Sequence, residues 1–262
     1  MADSIEAVAA SSSPAREVSV TFSKGTVIEF AYAKIKPGKE PQLFGEYFPQ
    51  VGPILQRYGG KGLGMFMIGD TITEKNGPDV QVTVASLFEW PDVDTFLRLH
   101  QDPEFLKIAP IRDEAMTFFN NGNFYTVQND VTVTFREDRV YEIWDASLAD
   151  NGSSQLLKPL YQQYMNAAET AAQSLGASEL ISMQPVPLQS PVRRKVEAAC
   201  GKARDDTQLA SLVLKEWSDP QALNQFENSK LTKEAKKLRD ESLDRYQLMM
   251  AQFAFPPPPP AE

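Results

Sequence analysis

Glu89-Trp90 is followed, 22 residues after the tryptophan, by Arg112-Asp113-Glu114, and Glu216-Trp217 is followed at the same distance by Arg239-Asp240-Glu241. Asp92 and Asp219 fall in step with them, so an offset of 127 holds through this ungapped stretch. Upstream, Tyr58-Gly59-Gly60 aligns with Leu175-Gly176-Ala177 at an offset of 117. The apolar openings Val27-Ile28-Glu29-Phe30 and Val140 to Ile143 align Glu29 with Glu142 at an offset of 113. An offset that grows in steps is what loop insertions produce, and the matches keep their order, so we read a tandem duplication.

Each copy spells strand, helix, strand, strand, helix, strand. In the first, Thr26 to Lys34 is β-branched and aromatic, as strands prefer. Pro41 to Tyr58 carries Leu43, Tyr47, Val51, Ile54 and Tyr58 at helical spacing, with Pro49 and Pro53 as kinks. Gly59-Gly60 ends that helix, because glycine accepts the left-handed conformation just past a helix terminus. Gly62 to Gly69 and Val80 to Trp90 read as strands joined through the turn at Asn76-Gly77-Pro78. Asp92 or Asp94 caps a short helix to His100, Asp102-Pro103 opens another toward Phe119, and Phe124 to Phe135 closes the unit as a strand.

In the second copy Val140 to Ser147, Ala177 to Gln184, Thr207 to Trp217 and Tyr246 to Phe255 read as strands. Ser153 or Ser154 caps a helix to Leu175, and Pro220 to Glu227 and Leu231 to Arg245 are helical. A proline-bearing loop, Pro185 to Asp206, belongs to this copy alone and carries Arg193-Arg194-Lys195, Lys202 and Arg204. A βαββαβ unit folds as a four-stranded antiparallel sheet with helices on one face. The expected fold class is therefore α+β, with two tandem ferredoxin-like units at 25–136 and 137–255. A disordered leader, 1–24, precedes them and a proline-rich tail, 256–262, follows.

Composition removes several classes of function. Among 262 residues there are 26 basic and 35 acidic side chains, a net charge of −9, so no groove tracking phosphates and no nucleic-acid partner is expected. No apolar run approaches the ~18 residues of a spanning helix, and no membrane partner is expected. The single cysteine, Cys200, rules out an internal disulfide framework or a thiolate metal cage, and the single histidine, His100, rules out a cluster of imidazoles. The leader lacks both the basic start and apolar core of a secretory signal and the arginine-rich character of a mitochondrial presequence, which points to the cytoplasm. Pro256 to Pro260 favour an extended left-handed helix, either a docking peptide for a proline-binding protein or a tail that only ends the last strand.

With this order of elements the chain resembles the dimeric α+β barrel superfamily. The openings TVIEFAYAKIKPGK and RVYEIWDASL are similar to the start of NIPSNAP-type domains. EFLKIAPIRDEAMTFF resembles the matching helix of small bacterial domains of the same fold. FLRLHQDPEF resembles the first histidine of the antibiotic-biosynthesis monooxygenase pattern; the second histidine is absent, with Pro103, Glu104 and Phe105 in its neighbourhood. The resemblance covers roughly 26–130 and 139–255. It implies two sheets face to face, here forming an intramolecular barrel around a small apolar ligand. It licenses no particular reaction.

The candidate catalytic residues are Glu29, Glu142 and His100. Strand alternation puts each glutamate opposite its flanking apolar neighbours, so if Ile28, Phe30, Tyr141 and Ile143 contact helices, both carboxylates enter the barrel. A carboxyl in an apolar cavity is shifted toward the range of a useful acid or base; the competing reading is a rim residue or an arginine-paired one. His100 is suited to proton transfer near neutrality, or simply ends a surface helix. Arg112 and Arg239 offer a two-pronged clamp for an acidic substrate group, or else helix-to-sheet salt bridges to Glu89 and Glu216. Met65, Met67, Phe66, Phe88 and Trp144 are candidates for a malleable apolar lining, and core residues by default.

No metal-ligand cluster, nucleophile elbow or dinucleotide fingerprint is present, so no cofactor is expected. The leading expectation is cofactor-independent binding or conversion (cyclisation, isomerisation or oxygenation) of a small, largely apolar molecule in the barrel. The alternative is a non-catalytic scaffold with a filled barrel and a docking tail. A third reading, haem binding, would use His100 as axial ligand. Open sheet edges would allow a homodimer.

Overall fold

A computed structural model of the chain describes residues 15–149, 154–200 and 209–255. In the first half β1 (Glu17–Phe22) precedes β2 (Val27–Ile35), a π-helical turn (Gln42–Tyr47) leading into α1 (Phe48–Arg57), β3 (Lys61–Lys75) and β4 (Val84–Trp90). α2 (Val93–Leu99), α3 (Pro103–Ala115), β5 (Met116–Thr126) and β6 (Val131–Arg136) complete it. The second half contains β7 (Val140–Leu148), α4 (Ser154–Ser174), β8 (Ser178–Pro185), α5 (Val192–Cys200), β9 (Leu209–Trp217), α6 (Pro220–Asn228), α7 (Lys230–Ser242) and β10 (Leu243–Phe253).

Local chemistry explains most boundaries. The Asp92 carboxylate accepts the Thr95 N–H at 2.6 Å, Asp102 accepts that of Glu104 at 2.7 Å and Asp219 that of Gln221 at 2.8 Å, so α2, α3 and α6 each begin on an aspartate cap. Gly59, at φ 70°, turns the chain out of α1. Several expectations are corrected. Residues 17–22, assigned to the leader, form β1, because the apolar side of Val18, Val20 and Phe22 pairs antiparallel with β6. The expected closing strand of the first unit is two strands, of which only β5 joins the main sheet. The loop after β8 contains α5. The proline-rich tail, Lys202 and Arg204 lie outside the described residues.

Eight strands close an antiparallel barrel in the order β10-β3-β4-β2-β5-β8-β9-β7, with β7 returning to β10. Within each half the order is the ferredoxin-like one: last strand, first, third, second. The inward faces of all eight strands meet in one buried cluster that includes Ile28, Phe30, Phe66, Tyr141, Met183 and Leu214. Phe22, Val133 and Phe135 from β1 and β6 join the same cluster, and Phe135 stacks on Phe253 with ring centroids 4.4 Å apart. The barrel interior is therefore packed with side chains. The expected cavity inside it is corrected by this core. A second cluster lies between the outer face of the first sheet and its helices, and a third occupies the equivalent layer of the second half.

Candidate active site

A mostly apolar cavity lies in the first of those helix-to-sheet layers; a more polar hollow lies in the second half between α4 and the strands β8 and β9, lined by Tyr161, Glu169, Glu179 and Ser211. The floor of the apolar cavity is the outward face of β2 and β4, where Glu29, Ala31, Ser86, Phe88 and Trp90 alternate with the residues that fill the barrel. Leu43, Tyr47 and Val51 from the kinked first helix cover it, while His100 at the end of α2 and Arg112 on α3 close the polar side. Small floor residues, Ala31 and Ala33, leave the space open. The cavity has a volume of about 70 Å³. That is several waters or a small planar molecule.

Glu29 thus points toward the helices: the condition for its entering the barrel is not met, because Ile28, Phe30 and Tyr32 are the residues that build the barrel core. Its carboxyl is buried and receives two N–H donors, the Trp90 indole at 3.0 Å and the Gly122 backbone at 3.2 Å. Burial pushes its pKa up from the ordinary 4.5 to about 7; the two donors and the nearby Arg112 guanidinium moderate the rise.

His100 is packed between rings, with centroid distances of 4.1 Å to Phe96 and 4.9 Å to Phe105. Its Nδ1 lies 3.0 Å from the Phe96 carbonyl, which can only accept, so Nδ1 carries the hydrogen and Nε2 is the free acceptor. Burial, aided by Arg112, lowers its pKa from 6.5 to about 4, and the ring is neutral at physiological pH. Arg112 gives its Nε and Nη2 edge to Asp113, at 2.8 and 2.7 Å, and lies over the Phe119 ring at 4.7 Å. The expected bridges from Arg112 to Glu89 and from Arg239 to Glu216 do not form: Glu89 pairs with Lys61 at 2.9 Å and Glu216 with Arg139 at 3.8 Å.

The second half reproduces the frame with different contents. Trp217 Nε1 donates to Glu142 at 3.0 Å, as Trp90 does to Glu29. Glu142, likewise outside the barrel, is neutralised by the buried Lys215 at 3.3 Å, and Arg239 pairs with Glu227 at 3.3 Å. Lys215 stands 127 positions after Phe88 and Glu227 the same distance after His100. Tyr164, 117 after Tyr47, faces its arginine as Tyr47 does, 5.9 against 5.8 Å from guanidinium carbon to ring centre.

The structure therefore brings Glu29, His100, Arg112 and Phe88 to one cavity and keeps Glu142 and Arg239 in a separate, internally paired cluster. Met65 packs at the edge of the first helix layer, Met67 is 38% exposed, Phe66 lies in the barrel core, and Trp144 stacks on Tyr246 in the second layer; these four do not form the expected shared lining. Sequence reasoning missed Tyr47 as a pocket wall, Gly122 as a donor, and Asn121, whose side-chain oxygen is buried without a hydrogen-bond partner among the described residues. The run Asn120-Asn121-Gly122-Asn123 inside an aromatic strand was the available signal. Among the described residues no group of three or more His, Cys, Asp or Glu side chains could hold a metal, and no helix is long and apolar enough to cross a membrane.

Comparison with known proteins places the fold. A domain family of unknown function, DUF1330, matches residues 30–120, from β2 into β5. No curated protein matches the sequence. Among solved structures, an anthrone oxidase-like protein aligns over 92% of this chain and 100% of its own with 13% identity and a TM-score of 0.50. A chlorite dismutase variant from Candidatus Nitrospira defluvii aligns over 89% and 92%, at 8% identity and a TM-score of 0.48. A protein of unknown function from Rhodopseudomonas palustris is 19% identical over 37% of this chain and 79% of its own, with a TM-score of 0.31. The likeness to the anthrone oxidase-like structure is one of fold, in keeping with the closed eight-stranded antiparallel barrel.

Proposed function

We propose that the chain binds and converts a small, largely apolar organic molecule in the first-unit pocket, with Glu29 as the proton-transfer group and without a tightly held cofactor. One observation carries this reading: a buried carboxyl shifted to about 7 forms the floor of an aromatic cavity, where it is suited to both taking and giving a proton near neutrality. Neutral His100 offers an acceptor and Arg112 a fixed positive charge for developing negative charge on the substrate. Proton abstraction next to a carbonyl or phenol leads to isomerisation, cyclisation or reaction of the resulting carbanion with oxygen, and the residues do not choose among these. The second unit, a product of tandem duplication in this reading, supplies the other wall of the barrel, and its equivalents of Glu29 and Arg112 are paired internally with Lys215 and Glu227.

The packed barrel favours the scaffold reading for that second half. The haem reading is not favoured: His100 is packed between the tilted rings of Phe96 and Phe105 with its Nδ1 on the Phe96 carbonyl. The test begins with denaturing extraction of freshly purified protein and mass spectrometry of what is released. With the molecule so identified, Glu29→Gln should lower turnover by about 100-fold or more while circular dichroism stays unchanged. Unaltered turnover removes Glu29 from the mechanism.

A further inference from the structure

The two units differ at the residues around their arginines, and the difference describes a ligand. Arg239 is held by the chain's own carboxylate: both Glu227 oxygens reach Nη1, at 3.3 and 3.4 Å, in largely buried surroundings. The residue 127 positions earlier is His100, which brings no charge to Arg112. Arg112 pairs instead with Asp113, whose side chain is 59% exposed, and it also makes a hydrogen bond with the uncharged Tyr47 phenol. Likewise Lys215 compensates Glu142, where the first unit has Phe88. Charges matched by buried partners in one unit have, beside a cavity in the other, an exposed carboxylate at Arg112 and no lysine at Glu29. A guanidinium over aromatic rings binds a carboxylate in a two-pronged way, and Phe119, Phe105 and Tyr47 surround Arg112. The unpartnered Asn121 oxygen adds an acceptor for an O–H or N–H on the same ligand.

We infer that the first-unit pocket takes a small planar aromatic carboxylate, whose anionic group occupies at Arg112 the place that Glu227 occupies at Arg239. The inference rests on the reading of this pocket as a small-molecule site and names the ligand class. The other ionisable groups facing the pocket permit it: Tyr47 is an uncharged phenol, His100 is neutral, and Glu29 is largely protonated at pH 6.

The chain carries its own reporters. Trp90 Nε1 donates to Glu29 inside the pocket, and Trp217 Nε1 donates to Glu142 in the second unit, so their indole N–H signals form a test and a control. In a nitrogen-15 titration of the full chain at pH 6, benzoate should shift the Trp90 signal saturably and leave Trp217 in place. Benzamide, the neutral isostere, should bind about 10-fold or more weakly. Arg112→Gln should abolish that preference, and His100→Glu, which installs the second unit's internal carboxylate, should abolish benzoate binding; an unmoved Trp217 signal shows that either variant is folded. Equal affinity for the two probes, or a preference that survives Arg112→Gln, overturns the carboxylate assignment and leaves the pocket reading standing. No Trp90 shift with either probe also overturns it, and the pocket reading then depends on the extraction experiment alone.

Discussion

Glu29 and His100 are shifted in opposite directions, and their effects on stability oppose one another. Between pH 4.5 and about 7 folded Glu29 holds a proton that the unfolded chain has released, so this group lowers stability as pH rises. Between about 4 and 6.5 the unfolded chain holds a proton that folded His100 does not, so this group raises stability with pH. At about 1.4 kcal/mol per pH unit each window amounts to about 3 kcal/mol in order of magnitude. The slopes cancel where the windows overlap. The stability of the parent in urea melts minus that of Glu29→Gln should fall from pH 4.5 to about 7, and the parent minus His100→Phe should climb from about 4 to 6.5. Parallel profiles for the two variants would contradict both assignments. Across the molecule, Lys215→Met leaves the Glu142 carboxylate buried beside Trp217 alone and should cost about 3–5 kcal/mol, most of it restored by adding Glu142→Gln.

Among the elements, α5 connects the halves: it belongs to the second unit yet packs on the first. Val196 and Cys200 lie over Gly122, whose φ of 75° suits glycine, and a Cβ there would come within 3.0 Å of Val196 Cγ1 and 3.4 Å of Cys200 Sγ. The same residue donates its N–H to Glu29, so α5 indirectly braces the pocket floor. Gly122→Ala should cost about 1–3 kcal/mol and speed amide hydrogen exchange in 192–200 ahead of the barrel strands; uniform exchange across both would show that α5 is not a separate brace. The helix could not be read from its own residues. Arg193, Arg194 and Lys195 resemble a solvated loop, and only the contact of Val196 with a strand more than 70 residues upstream makes a helix worthwhile. The aspartate caps and the Gly59 stop were readable because their physics is complete within four residues.

At the scale of the whole molecule, two sheets that are each apolar on the inward face close on one another. The seams are unequal: β10 and β3 pair from Tyr246–Lys75 to Phe253–Phe66, whereas β5 and β8 meet at Tyr125–Pro185 and Thr126–Gln184 alone. The first half expressed alone, residues 1–136, would expose Ile28, Phe30, Phe66 and Tyr125 and leave β3 and β5 as bare edges. It should pair with a second copy of itself, read as a doubled mass by light scattering, and a stable monomer would contradict the packed barrel as the source of cohesion.

The order of strands and helices, their caps, and the recurrence of Glu, Trp and Arg at constant offsets all follow from residues near one another in the chain or from periodicities along it. Alternation also put Glu29 and Phe30 on opposite faces of one strand. Which face turned inward was decided by packing: Phe30, Tyr32 and their counterparts fill the barrel and leave the glutamates to the helices. Equally, Glu29 and Glu142 occupy matched places in the sequence but differ in chemistry, since Lys215 and Glu227 reach the second pair of charges while Phe88 and His100 leave the first pair open to a cavity. Charge compensation depends on distances between side chains far apart in sequence, and those distances exist only once the sheets and helices have docked.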